Sequence, residues 1–528
     1  MSVSDEVKTS AEHHEAILEA KEAANEERQM TLLQAIRLYP KAVFWSVLLS
    51  TCIIMEGYDI VLMNSFWAQP AFSRRYGQFN AATSSYQISA TWQNALGNAV
   101  TVGAIIGAFA NGWFVHRYGY RPVLLVSLLS ICGFVFISFF APNAPVLLVG
   151  QFLCGIPWGV FATTAPAYAS EVCPTVLRGY LTVYVNLCWA LGQLISAGVQ
   201  SAFANNDTQW AYRIPFAIQW AWPIPLFAIL SLAPESPWFH VRTGDLGKAT
   251  RMVARLSSPS KRKDARKTVE MMVHTNDLEK SLEENTSYVQ CFKGIDRRRT
   301  EIACMVFAAQ PLCGSAMGGT PTYFFVQAGV PQAISFKMSV GGLGIASIGT
   351  IVSWVLMSYI GRRKLYLWGL GGLAAILSIV GFISVGASRS SAGNYSQAAM
   401  MIVWLCVYYL TVGPICYAIV GEVSSTRLRG KSICLARVVY YVAKIISDVI
   451  NPYMLNPTAG NWKGKTALFW SGCAFLFFIW AFFRLPETKG RTYEELDIMF
   501  AEGIPARDFA DQVVDAYAEH DHAHGRRK

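Results

Sequence analysis

Charge is what this sequence has least of. Of its 528 residues only 15% are Asp, Glu, Lys or Arg, while 53% are hydrophobic and the mean hydropathy is +0.32. A chain so poor in charge does not cover the surfaces of several soluble domains, which its length alone suggests. Cysteine is present but nowhere arranged. Its twelve copies form no CxxC pair and no Cys/His cluster, and none lies clearly in an outer loop, so neither a disulfide framework nor a bound metal is implied. Stretches of about ten residues with alternating polar and apolar character are missing, which excludes a membrane β-barrel. No nucleotide loop or nucleophile motif is found, so neither an enzyme nor a cofactor is expected. The opening segment, MSVSDEVKTSAEHHEAILEAKEAANEERQ, has no early apolar core and is not a signal peptide. It reads as a short, polar, solvated helix ahead of an uncleaved first anchor.

Long hydrophobic runs are what the chain does have. About twelve stretches approach the ~20 residues needed to cross ~30 Å of hydrocarbon as a helix. They are 42–66, 94–115, 122–141, 146–168, 180–202, 214–233, 300–326, 338–360, 364–386, 399–420, 432–454 and 466–485, numbered here spans 1 to 12. The expected fold is an all-α, twelve-helix membrane protein. Short loops 116–121, 361–364 and 421–431 are rich in Lys and Arg, whereas 142–145 has no charge and 327–337 only Lys337. The positive-inside rule then puts the basic loops, the long segment 234–299 and both termini in the cytoplasm. The net charge of +10 is read as this topology signal, not as nucleic-acid binding. Asn206 and Asn394 lie in sequons within expected outer loops.

The chain repeats itself. EVCPTVLRG at 171–179 returns as EVSSTRLRG at 422–430, an offset of 251, and PESPW at 234–238 returns as PETKG at 486–490, an offset of 252. A looser pair, RYGYRP at 117–122 and YIGRRK at 359–364, is offset by 242. Two parallel six-helix halves are expected, with a binding site between them near the bilayer midplane. The boundaries are a tail at 1–41, a bundle at 42–233, a linker at 234–299, a bundle at 300–485 and a tail at 486–528. The repeated motifs mix acids and arginines at helix ends. They serve capping and topology, or form an ion-pair gate that takes a network to hold, since single interfacial pairs contribute only ~0–1 kcal/mol.

Two spans carry charge away from their ends: Glu56 and Asp59 in span 1, and Arg437, Lys444 and Asp448 in span 11. A charge near a helix centre costs ~2.5–3.5 kcal/mol on insertion scales, so it has a partner or a task. Lys444 and Asp448, four apart, can simply neutralise each other. Asn186 and Gln193, seven apart in span 5, share a face. Polar residues such as these line a sugar pocket or hold membrane helices together. Pro157 and Pro414, beside Gly155, Gly159 and Gly413, read as helix breaks.

The paired E-x6-R elements, PESPW, GRRK and PETKGRTYEEL resemble those of the sugar porters of the major facilitator superfamily. MEGYD, GQFLCGIPWG, YASEVCP and RGYLTVYVNLCWALGQLI are similar to the fungal α-glucoside (maltose-type) permeases, which are proton symporters of the plasma membrane. The resemblance implies sugar-binding roles for Asn186, Gln193, Gln310, Gly314 and Tyr417. It implies proton coupling by Asp59 and Glu56 with Arg437, because the usual span 4 arginine aligns with Gln151. The gate it implies comprises Glu171, Arg178, Glu422, Arg429, Glu235, Glu487, Arg117 and Arg362. His116 and Ser358 stand where the loop motif usually has Asp, which shifts weight onto Glu171, Arg178, Glu422 and Arg429. The expected function is proton-coupled import of an α-glucoside by a monomeric permease. A facilitator or symporter of hexoses or other oligosaccharides, and a non-transporting sugar sensor, are the alternatives.

Overall fold

Inside hydrocarbon a segment must satisfy its own backbone polar groups, so each apolar run becomes a helix. The structure, a computed structural model, describes residues 30–80, 85–283, 288–319, 321–386, 390–424, 428–489, 491, 493–510 and 512. For some of these, Arg178, Ser358 and Arg429 among them, only the backbone is described. The helix expected at the start of the chain lies outside the described residues.

Among the described residues, nine helices are long and apolar enough to cross a membrane. They are Pro40–Phe66, Ala90–Tyr118, Tyr120–Phe140, Ala144–Val172, Trp210–Leu230, Gln332–Met357, Arg362–Gly386, Ser391–Val423 and Lys463–Arg484, matching spans 1–4, 6, 8–10 and 12. Span 7 is a bent pair, Gly294–Gly318 with Pro321–Gln327. Spans 5 and 11 are the helices Thr175–Ala202 and Arg429–Leu455, of 28 and 27 residues. These two hold Asn186 and Gln193, and Arg437, Lys444 and Asp448, respectively. All twelve cysteines are free thiols. A two-stranded antiparallel hairpin, β1 (Gln78–Asn80) and β2 (Ser85–Gln87), sits between spans 1 and 2.

The expected breaks divide. Span 10 does break, at Thr411 (φ −125°, ψ −88°), between Ser391–Leu410 and Val412–Val423. Span 4 does not: Ala144–Val172 runs helical through Pro157 and Pro166. Its glycines are used for close packing. A Cβ on Gly155 would lie 2.3 Å from the Val100 carbonyl oxygen, and one on Gly159 would lie 2.0 Å from that of Ala104. From the other side, a Cβ on Gly103 or Gly107 of span 2 would lie 2.2 and 2.0 Å from the carbonyl oxygens of Phe152 and Ile156. The two backbones therefore touch along two turns, as small residues allow in membrane helices.

The chain forms two compact units. The first comprises residues 1–60, 99–193 and 213–285. Its core includes Leu49, Met55, Leu128, Ile131, Trp158 and Phe161, all buried. The linker is more than a tether. Helices Pro237–Arg242, Leu246–Leu256 and Ala265–Glu283 bury Val241, Ala249, Val253, Val269 and Met272 among themselves. They are held to the rest of the unit by Ser258 N–H to the Leu38 carbonyl (2.8 Å) and Arg255 to the Leu232 carbonyl (2.7 Å).

The second unit comprises residues 61–98, 194–212 and 286–528. The ends of spans 1, 2 and 5 that lie away from the basic loops thus group with spans 7–12, and the unit boundaries do not follow the sequence repeat. Outward-facing side chains on the spans are apolar, Leu129, Trp368, Phe382 and Leu476 among them, as lipid contact requires.

Candidate functional site

Asp59 is 1% exposed. Its position comes from how span 1 meets spans 5 and 6. Gly57 lets span 1 lie against the Trp189 backbone of span 5, where a Cβ would be 2.3 Å from the carbonyl oxygen. Span 6 breaks opposite, between Trp210–Ile218 and Pro223–Leu230, through the short turn Gln219–Ala221. Two consecutive residues of span 1 serve that break. Tyr58 donates its hydroxyl to the Pro215 carbonyl at 2.9 Å, and Asp59 Oδ1 accepts from Gln219 Nε2 at 2.7 Å. Asp59 Oδ2 and the indole nitrogen of Trp158 are both buried without a hydrogen-bond partner among the described residues. A buried carboxylate so placed faces neutral donors, the Gln219 amide and, less closely, the Trp158 indole. Glu56 lies a turn earlier, half-buried. Gln151 does not take part; its amide faces Ser138 Oγ at 3.4 Å.

Arg437 sits in an aromatic cage in the second unit. Its guanidinium lies 4.7 Å from the Tyr440 ring, 5.2 Å from Tyr441 and 5.7 Å from Phe307, and it donates to Tyr417 Oη at 3.3 Å. Among the described residues it makes no ion pair. Stacking on ring faces is how a guanidinium is kept in a dry site without a carboxylate. Lys444 and Asp448 pair with each other at 2.6 Å, as their spacing allows.

Of the expected sugar ligands, Asn186 is half-buried and Gln193 buried, both on span 5 in the first unit. The others belong to the second unit. Gln310 is buried and gives its amide to the Gly413 carbonyl (2.9 Å) and Cys416 Sγ (2.7 Å), so it ties span 7 to the break of span 10. Gly314 kinks span 7 ahead of its bend between Gly318 and Pro321. Its φ of +101° is a left-handed conformation, and a Cβ there would meet Leu377 at 2.9 Å. Tyr417 packs edge-on against Phe307, with ring centroids 5.3 Å apart.

The basic ends of the two repeats are built alike. In the first, Glu235 accepts from the backbone N–H groups of Tyr120 (2.9 Å) and Arg121 (3.0 Å), capping span 3. Glu171 accepts from Tyr120 Oη (2.9 Å), from Arg242 (2.9 Å) and from Ser236 Oγ. In the second, Glu487 accepts from Arg362 N–H (2.7 Å). Glu422 accepts from the Arg362 guanidinium (3.0 Å) and from Thr488 Oγ1. Arg299 also pairs with Asp497, and Glu301 with Arg484. Arg117 is not drawn in; it stacks on Trp113 and Tyr118 at 5.7 and 5.8 Å. The side chains of Arg178 and Arg429 lie outside the described residues. Arg242, Ser236, Thr488, Arg299 and Gln219 were not singled out from sequence. The constant offset between PESPW and PETKG signalled Ser236 and Thr488, whereas Arg242 had no repeat counterpart to mark it.

At the opposite ends Arg74 pairs with Asp207 at 2.5 Å within the first repeat, while the described contacts from one repeat to the other are neutral. In the second unit Gln93 donates to Tyr323 Oη (3.3 Å), Asn94 to the Val449 carbonyl (3.1 Å), and Asn456 to the Ile88 carbonyl (2.9 Å). Gln332 donates to the Ala204 carbonyl (2.9 Å), and Val61, Ala197 and Leu343 form a small apolar cluster. Neutral amides thus join the ends of spans 2 and 5 to spans 7, 8 and 11 at this end, and span 1 joins them through the apolar contact of Val61.

Residues 45–500 match the sugar (and other) transporter family. A maltose permease of Saccharomyces cerevisiae is 39% identical over 512 residues, covering 96% of this chain and 83% of that one. A general alpha-glucoside permease of the same species is 38% identical over 512 residues, covering 95% and 82%. Among solved structures, the xylose transporter of E. coli in a partially occluded inward-open conformation gives a TM-score of 0.70 at 17% identity, over 86% of this chain and all of that one. The proton:xylose symporter bound to 6-bromo-6-deoxy-D-glucose gives 0.69 at 18% identity, over 88% of this chain and 100% of that one. The architecture is the twelve-helix major facilitator fold.

Proposed function

This chain belongs to the sugar (and other) transporter family of multi-pass membrane proteins, and we propose that it imports an α-glucoside such as maltose with a proton, by alternating access. The substrate class rests on likeness to the maltose and general alpha-glucoside permeases over nearly the whole chain. The proton rests on one observation: Asp59 is buried, and the donors that face it, the Gln219 amide and the Trp158 indole, are neutral.

A carboxylate taken out of water without a cation costs less as the neutral acid. A proton taken up on Oδ2 leaves Oδ1 accepting from Gln219. Release follows when the site is wetted or a cation approaches. Arg437, held among aromatic rings and free of ion pairs among the described residues, is the cation assigned to that step, with Glu56 beside Asp59. Asn186, Gln193 and Tyr417 are assigned to the sugar. Gln310 and Gly314 are assigned to shaping the pocket, through the break of span 10 and the kink of span 7.

The same reading places the protein in the plasma membrane as a monomer without enzymatic activity, with the termini and the basic loops inside. It keeps a tail at 1–41, bundles at 42–233 and 300–485, a linker at 234–299 and a tail at 486–528. The repeated acids Glu171, Glu422, Glu235 and Glu487, with Arg362, Arg178 and Arg429, form the inner gate. The neutral amide contacts form the outer one.

The test is expression in a yeast lacking its own sugar transporters, with growth and uptake scored on a sugar panel while medium pH is recorded. Uptake of maltose or another α-glucoside with alkalinisation of the medium is expected. Glucose uptake that maltose neither competes with nor replaces overturns the substrate. Uptake unaffected by a protonophore overturns the coupling and leaves a facilitator.

A further inference from the structure

The basic end of the second unit holds two arginines that form no ion pair among the described residues. Arg363 stands at the start of span 9, and Arg507 in the segment that follows helix Tyr493–Ala501. Both guanidiniums stack on one ring. Arg507 lies 4.4 Å and Arg363 5.9 Å from the centre of Phe482, and Arg507 is also 4.8 Å from Phe483. Two positive charges are thus held side by side, which is unfavourable unless something negative joins them. Arg363 makes one hydrogen bond, from Nη2 to the Phe482 carbonyl at 2.8 Å, and its Nε is buried with no partner among the described residues. Arg507 makes no hydrogen bond among them. The acids at this end are engaged elsewhere. Glu301 holds Arg484, Asp497 pairs with Arg299, and Glu487 accepts from the backbone N–H groups of Arg362 and Lys489. Asp508, next to Arg507 in the chain, is exposed and does not pair with it.

What surrounds these arginines is apolar and faces outward. Phe482 and Phe483, near the end of span 12, are 40% and 59% exposed, and with Phe475, Leu476 and Ile479 they form one helical stripe. In a membrane such a stripe lies against acyl chains, and the end of the span marks the level of the headgroups. We propose that Arg363 and Arg507 bind the phosphate of an anionic phospholipid whose acyl chains run along this stripe. Stacking occupies the flat face of a guanidinium and leaves its N–H edge for a phosphate, the geometry in which arginine is selective. The lipid brings the missing charge and the missing acceptor together. A free phosphate brings them too, but gains nothing from the exposed apolar side chains alongside. The basic-loop end is the one read as cytoplasmic, and that leaflet is the one rich in anionic lipid. Arg507 is carried to the site by the tail: Asp497 pairs with Arg299, and Arg298 donates to the Ile504 carbonyl at 2.8 Å. Bound lipid therefore bridges span 9, span 12 and the tail. The inference does not depend on which sugar is carried.

The test is lipid binding to the full-length protein, purified in a neutral detergent and followed by native mass spectrometry. Phosphatidylserine and phosphatidylcholine with the same acyl chains are titrated in turn. One phosphatidylserine per protein is expected to stay bound at collision energies that strip phosphatidylcholine. Arg507→Gln is expected to weaken phosphatidylserine binding about tenfold, the loss of one charge-assisted hydrogen bond, and to leave phosphatidylcholine as it was. Arg363→Gln is expected to do the same. Arg251→Gln, at an exposed position on the linker helix Leu246–Leu256, controls for net charge and is expected to leave lipid binding unaltered. Equal retention of the two lipids overturns the inference. So does phosphatidylserine binding that survives Arg507→Gln, or that falls as far in Arg251→Gln. Inorganic phosphate that displaces the lipid shows a site for free anions and overturns the lipid assignment. Arg507 is exposed, so its variant decides the question even if Arg363→Gln does not fold. Hydrogen exchange over residues 493–510 gives a second readout. Phosphatidylserine is expected to slow it in the unaltered protein and not in Arg507→Gln, whereas an arginine that only fastens the tail shows the same change with and without lipid.

Discussion

Gln219 holds Asp59 through one hydrogen bond of 2.7 Å, and that bond joins the break in span 6 to the one fully buried acid described in span 1. Asp59→Asn keeps the shape and the acceptor toward Gln219 but has no carboxylate to take up and release a proton. Uphill, pH-dependent accumulation is expected to vanish, while downhill sugar exchange persists. Unchanged accumulation in that variant rejects the relay. Gln219→Ala removes the closer donor, at a cost of roughly 1–3 kcal/mol for an unsatisfied buried group. A lower melting temperature in detergent and weaker accumulation are expected together.

Gln310 and Asn186 are expected to respond differently to alanine. The Gln310 amide is already spent on the Gly413 carbonyl and Cys416, so its loss leaves that carbonyl only the weak Cys416 thiol as a side-chain donor and costs about 1–3 kcal/mol. Gln310→Ala should therefore lower thermal stability as well as uptake. Asn186→Ala should raise KM at nearly unchanged melting temperature. Thermal melts paired with uptake kinetics separate the two.

Glu235 caps span 3 from 115 residues away, accepting from two backbone N–H groups at 2.9 and 3.0 Å. Glu235→Ala is expected to cost about 1–2 kcal/mol, the upper range for a lost helix cap with its charge at a helix N-terminus. Hydrogen exchange should rise in the first turn of span 3. The equivalent change, Glu487→Ala, should raise it in the first turn of span 9. Unaltered exchange in both would reduce these acids to surface groups.

The amide contacts between the repeats at the end away from the basic loops are neutral, so salt should not loosen them, unlike the ion pairs at the basic end. Asn456→Ala removes the bond to the Ile88 carbonyl and is expected to speed exchange over residues 85–93 at low and high salt alike. A strong salt dependence there would contradict the assignment.

The twelve helices were legible because hydrocarbon leaves a backbone few options, and the repeat marked Glu171, Glu235, Glu422 and Glu487 before their partners were visible. The partners were not legible. Arg242 sits in a linker whose own small core of Val241, Val253 and Met272 looks, in sequence, like spacer. Gln219 is a single amide in an apolar span, and only the turn between Ile218 and Pro223 aims it at Asp59. Pro157 misled for a physical reason: flanking glycines can mark a break or a close crossing, and here they mark a crossing. Gln310 aligned with a ligand position, yet its donors face another helix, which no alignment of one side chain reveals.

The contact of spans 2 and 4 through Gly103, Gly107, Gly155 and Gly159 has a consequence for engineering. A seam with no side chains in it has nothing to compress, so the two helices slide and tilt as one stiff piece. Libraries aimed at sugar preference therefore gain nothing there, since even one added methyl group forces the backbones apart. Variation is better spent on spans 5, 7 and 10, where broken helices and half-buried polar groups leave material that can yield.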